Sequence, residues 1–137
     1  MVVAGAQSDV YDVALQNNKI IALTNKGIFK ADVNNDFLQN IDNWTLVNPD
    51  VYKKILVTSD SVYIANDSIV YSWDGFAGIH FMYQTDLAIK DMLISQNKLN
   101  IAVYKSFGKI IQIAVFIAHG SFTQEILEIS LYNLLHP

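Results

Sequence analysis

"IIALTNKGIFKAD", residues 20–32, sets two apolar runs on either side of the polar link Asn25-Lys26-Gly27. β-branched and aromatic residues favour the extended chain, and glycine takes the positive φ that a tight reversal asks for. The stretch therefore predicts a β-hairpin, KIIALT (19–24) against GIFKADV (27–33). Just upstream, VYDVALQ (10–16) alternates Tyr11, Val13 and Leu15 with Asp12, Ala14 and Gln16, the period of a strand with one apolar face.

The same pattern returns twice. NKIIALT, DSVYIAN and NKLNIAV begin at residues 18, 60 and 97, spaced by 42 and 37 positions. A strand precedes each copy: 10–16, KILVTS (54–59) and DMLIS (91–95). Two more follow each: GIFKADV and WTLV (44–47), SIVYSW (68–73) and IHFMYQ (79–84), KIIQIAVFIA (109–118) and FTQEILEISL (122–131). Four-stranded units near 40 residues are the period of β-propeller blades. The predicted class is all-β, a propeller fragment of about three four-stranded antiparallel blades over 10–50, 54–88 and 91–131, within a single segment 1–137. A single sandwich of a dozen strands leaves the repeat unexplained, and leucine-rich or ankyrin repeats lack their helical half here. The tail from Phe122 is read as a strand and turn rather than an amphipathic helix.

Composition narrows the function. The 137 residues are 52% apolar and 16% charged, with mean hydropathy +0.25, enough for one sizeable core. A net charge of −4, with nine lysines and no arginine, argues against nucleic acid as a partner and removes any Arg-centred site. Without cysteine there is no thiolate metal site, thiol nucleophile or disulfide. The start, MVVAGAQSDV, lacks the basic and apolar regions of a signal peptide, and the run Ile110–Ala118 is far too short to span a bilayer as a helix.

No reactive constellation stands out. His80, His119 and His136 lie too far apart in sequence for a local metal site. Asp32-Val33-Asn34-Asn35-Asp36 begins like a calcium loop but places Phe37 where glycine and Asn43 where a bidentate glutamate belong, so it reads as a polar turn. Asp12, Asp60 and Asp91 could supply carboxylates at a channel mouth, though Asp at a blade corner more commonly accepts from backbone N–H groups. His119-Gly120-Ser121 lacks the frame of a nucleophile elbow. No catalytic residue, metal or cofactor is expected. Trp44, Trp73 and Phe76, with Phe81 and Tyr83, are the candidates for a ligand-stacking rim, weighed against packing between sheets.

Thr24, Gly27, Ile28 and Phe29 are similar to the blade signature of two-component-regulator propellers. The run VYDVALQNNKIIALTNKGIFKADVNNDFLQNIDNWTLVNP (10–49) and the ending, GKIIQ (108–112) with GSFTQEILEISLYNLLHP (120–137), resemble the N-terminal propeller of the PorZ-type proteins of the Bacteroidetes type IX secretion system. The second blade departs, with Asn66-Asp67 in place of the Thr-x-x-Gly turn. This resemblance implies an exported parent with two propellers and a C-terminal β-sandwich, at the periplasm or cell surface. Its role there is a non-catalytic scaffold for attaching secreted cargo. The alternative is a periplasmic carbohydrate-sensing propeller of a hybrid two-component regulator. A three-blade arc has bare end faces, so the expected partners are other blades of a parent protein or copies of itself, with a secretion-system protein or surface glycan beyond them.

Overall fold

The computed structural model describes residues 2–3, 6–75, 78–95, 98–105, 109–116 and 124–130, with side chains described for 8–40, 42–75, 78–95 and 98–103. The architecture is all-β. A short pair, β1 (Val2–Val3) and β2 (Ala6–Gln7), precedes three four-stranded sheets. The first sheet contains β3 (Val10–Gln16), β4 (Lys19–Thr24), β5 (Gly27–Asp32) and β6 (Thr45–Asn48). The second contains β7 (Lys54–Val57), β8 (Val62–Ala65), β9 (Ile69–Trp73) and β10 (Ile79–Gln84). The third contains β11 (Ala88–Ser95), β12 (Lys98–Lys105), β13 (Lys109–Phe116) and β14 (Gln124–Ser130). In each, spatial order follows sequence order, the up-and-down meander that propellers repeat.

The chain divides into two compact units, residues 1–66 with 70–83 and residues 67–69 with 84–137. The first unit holds the first sheet and nearly all of the second. The third sheet lies in the second unit.

Local chemistry explains the first hairpins. Asn17 and Asn18 take φ of 49° and 62°, the pair of left-handed residues that turns β3 into β4 in two residues. Asparagine tolerates this region because its short amide meets the backbone with little clash. At the next reversal Thr24, fully buried, donates its hydroxyl to the Gly27 carbonyl (2.9 Å) and accepts from the Lys26 N–H (3.1 Å). Gly27 has φ +123°, as the sequence requires, but the turn is only part of the reason. A Cβ at this position would run into the Asn48 carbonyl oxygen and meet the Pro49 Cα at 2.9 Å, because the end of β6 crosses directly over it.

Two features were not legible in advance: the β1–β2 pair, and a short 3-10 turn (Ile41–Asn43) in the long link before β6. That link is built from Asx turns, the Asp32, Asn35 and Asn40 side chains each accepting from a backbone N–H two residues on.

Within the first unit, the faces of the first two sheets share one core. Ile21, Leu23 and Ile28 pack with Tyr52, Val62, Ile64 and Trp73, flanked by Val47, Ile55, Val57, Tyr71 and Ile79. Ile21, Leu23, Ile28 and Ile64 are completely buried, each contributing about 1.5–3 kcal/mol of transfer free energy. Tyr52 and Tyr71 meet edge to face at 5.6 Å between centroids. The opposite face of the first sheet carries a smaller cluster, Ala22 and Phe29 with Val10 and Trp44, beside exposed Val13, Leu15 and Leu46.

Candidate binding surface

Three polar or aromatic residues bridge the first two sheets. The first is Asp12, which sits just after a β-bulge. Val10 pairs with Thr24 and Asp12 with Leu23, leaving Tyr11 as the extra residue. The bulge turns the Asp12 carboxylate along its own strand and across to the next. Oδ1 accepts from the Val13 N–H (2.9 Å), and Oδ2 accepts from the Ile55 N–H (3.0 Å) on β7. Lys53 lies with Nζ 5.6 Å from the Tyr11 ring centroid beside this bond.

The second and third are Lys30 and Trp73. Lys30 points from β5 to the second sheet, where Nζ donates to the Gly75 carbonyl (2.8 Å) and lies 5.2 Å from the centre of the Trp73 ring. Burial pushes its ammonium below the usual lysine range, partly offset by Asp74 and reinforced by Lys19. Gly75 has φ +92°, which aims its carbonyl at Lys30. Asp74 closes the loop from within: its N–H donates to the Gly78 carbonyl (3.0 Å), and its Oδ1 accepts from the Gly78 N–H (3.1 Å).

The stacking candidates separate. Trp73 is 4% exposed and belongs to the shared core. Trp44 is half-buried over Ala22 and Phe29, with its indole N–H donating to the Leu38 carbonyl. Phe76 lies outside the described residues. Phe81 is 61% exposed on β10, with His80 exposed beside it and Tyr83 half-buried.

The carboxylates separate too. Asp12 stands near the start of its strand, whereas Asp60 lies in the turn beyond the end of β7, where its N–H reaches the Thr58 hydroxyl (3.4 Å). The Asp32 loop is an Asx turn. The Asn34 N–H bonded to the Asp32 carboxylate holds that acid below its usual range, with Lys19 at 3.6 Å adding to the effect. Burial pushes the Tyr52 hydroxyl up, as do Asp50 and Tyr71. Among the described residues no group of three or more His, Cys, Asp or Glu could hold a metal, and no helix is long and apolar enough to cross a membrane. His119 and His136 lie outside the described residues.

Sequence reasoning noticed Asp12 and Asp91 but missed what they share. Asp91 also follows a bulge: Ile89 pairs with Val103 and Asp91 with Ala102, leaving Lys90 over. Its Oδ1 accepts from the next N–H, of Met92, at 2.8 Å. The signal was present in YDVAL and KDMLI, a carboxylate one residue into an apolar strand. At the matching place in the second sheet, opposite Ala65, stands Lys54.

Removing the Asp12 carboxylate takes acceptors from two backbone N–H groups and loosens the link between β3 and β7. Asp12→Ala is expected to cost about 1–2 kcal/mol in urea denaturation, with Asp12→Asn costing less because one acceptor remains. An unchanged midpoint for the alanine variant would mean that the Ile55 bond contributes nothing.

Comparison with known proteins adds a likeness of fold. The chain is similar to the crystal structure of the N-terminal domain of Nup159, at TM-score 0.56 and 14% identity over 93% of this chain and 32% of that one. It is similar to a chain in the S. cerevisiae complex of a Dbp5 variant bound to Nup159, a Gle1 variant, IP6 and ADP, at TM-score 0.55 and 13% identity, over 90% and 31% of the two chains. It is also similar to the computationally designed Ika4 protein, at TM-score 0.54 and 16% identity over 93% of this chain and 96% of that one. The chain thus spans about a third of the first two matches and nearly the whole of the third. At these identities the likeness concerns the fold alone. No family model and no curated protein matches the sequence.

Proposed function

We propose that this chain is a rigid scaffold or binding module, without catalysis of its own, built from propeller sheets. The observation that carries the reading is the use made of its chemistry-bearing residues. Asp12, Lys30 and Trp73 are engaged in joining two sheets, so they serve rigidity rather than turnover. Stacked sheets of this kind hold their outer strands and loops at fixed positions, which suits presentation of a surface.

The finer proposal is that the module belongs to an exported cell-surface protein of type IX secretion, acting in cargo attachment. It is supported by the sequence resemblance of residues 10–49, 108–112 and 120–137. Sequencing the coding DNA on both sides of the segment tests it. Further four-stranded repeats and a C-terminal β-sandwich, behind an export signal, are expected. A membrane span and kinase domain downstream would replace this reading with the carbohydrate-sensing regulator, and an immediate stop codon would contradict the two-propeller parent.

A further inference from the structure

The bond from Asp12 to Ile55 shows how the first sheet is fastened to the second. A carboxylate just past the bulge of β3 captures the backbone N–H of β7, the first strand of the following sheet. That N–H is open to capture because the residue before it, Lys54, carries no carboxylate of its own. In the first and third sheets the corresponding N–H groups, of Val13 and Met92, are taken by their own aspartates.

Asp91 reproduces the donor side of this arrangement in bulge, register and local hydrogen bond. It is exposed, and among the described residues its carboxylate meets only the Met92 N–H. On the same side of β11, Leu93 is 50% exposed and Ser95 is exposed. We propose that Asp91 is a latch for a further four-stranded sheet of this repeat, and that the sheet it takes has a non-carboxylate residue at the position of Lys54. This goes beyond the scaffold reading, naming a surface and the strand chemistry that fits it.

The occupant is a further sheet rather than a second copy of this chain. A second copy would present β3, whose Val13 N–H is already bound, and would bring the Asp12 and Asp91 carboxylates to the same donor. The face is also less apolar than its counterpart in the first sheet. Asn100, buried with its amide on the Lys98 carbonyl, replaces Ile21, which makes Asp91 and Leu93 on β11 the main points of attachment.

The test extends the full chain after Pro137 with a second copy of its own residues 51–87, which supply the Lys54-type sheet. Hydrogen exchange is read at the copied Ile55 amide. Protection is expected, falling by about tenfold or more when Asp91→Ala is introduced. Protection should also fall when the copied Lys54 is changed to Asp, which supplies a competing carboxylate. In the unextended chain Asp91→Ala loses only the Met92 bond and should lower the thermal midpoint less than Asp12→Ala does. An appended sheet that stays unprotected, or that is equally protected without the Asp91 carboxylate, overturns the proposal. Concentration-dependent association of the unextended chain that Asp91→Ala abolishes overturns it in favour of a second copy.

Discussion

Gly27→Ala is expected to destabilise the first unit by about 3 kcal/mol or more. Two costs combine. The backbone at φ +123° lies where side-chained residues are strained, and the added methyl would run into the Asn48 carbonyl and Pro49 Cα, neither of which can rotate away as a side chain would. Relief requires moving the end of β6, where Asn48 pairs with Ile28 of β5. Urea denaturation beside Lys26→Ala, one residue earlier and exposed, gives the comparison. The control should move the midpoint slightly. A Gly27→Ala shift no larger than the control's would show that β6 does not cross this position so closely.

Trp73→Ala is expected to cost about 3–5 kcal/mol, the range for deleting a large buried aromatic side chain. The ring is 4% exposed, packs with Ile21, Leu23 and Ile28 of the neighbouring sheet, and lies beneath the Lys30 ammonium. Trp73→Phe should recover part of the loss, because it keeps an aromatic face under the cation while leaving a smaller void. Two-sheet packing and rim stacking predict different phenotypes. A packing residue lowers the denaturation midpoint, whereas a stacking residue on a rim leaves the midpoint alone and weakens ligand binding. A Trp73→Ala protein as stable as the parent would return Trp73 to the rim.

Much of the fold was readable because strands report themselves through period and punctuation. The second strands recur where NKIIALT, DSVYIAN and NKLNIAV align, as Lys19–Thr24, Val62–Ala65 and Lys98–Lys105. The final segment is a strand over Gln124–Ser130, although its apolar residues also fit a helix, since pairing with β13 settles what a short apolar run leaves open. Trp44 falls just before β6 rather than inside it, because the Asx turns and the 3-10 turn that set the end of that link depend on local backbone bonds and not on hydrophobic period.

The site was less legible. Nothing in the sequence around Lys30 marks it out. Its role comes from a carbonyl 45 residues away, at a glycine whose conformation no pattern near Lys30 reveals. Asp12 and Asp91 were visible as carboxylates, but the bulges that aim them appear only in the pairing register. A single extra residue per strand separates a solvated acid from a latch, and single-residue offsets are where repeat alignment is weakest.

The meander order of the sheets bears on how the molecule is made. Every sheet pairs each strand with its immediate predecessor, and the first begins with a two-residue reversal at Asn17-Asn18. Contacts within a sheet are short-range in sequence, so loop closure is entropically cheap and pairing is fast for a β protein. During synthesis each sheet can zip up once its fourth strand has left the ribosome, without waiting for residues still untranslated. Docking of the first two sheets brings together residues far apart in sequence, and the Asp12 and Lys30 bridges form only at that step.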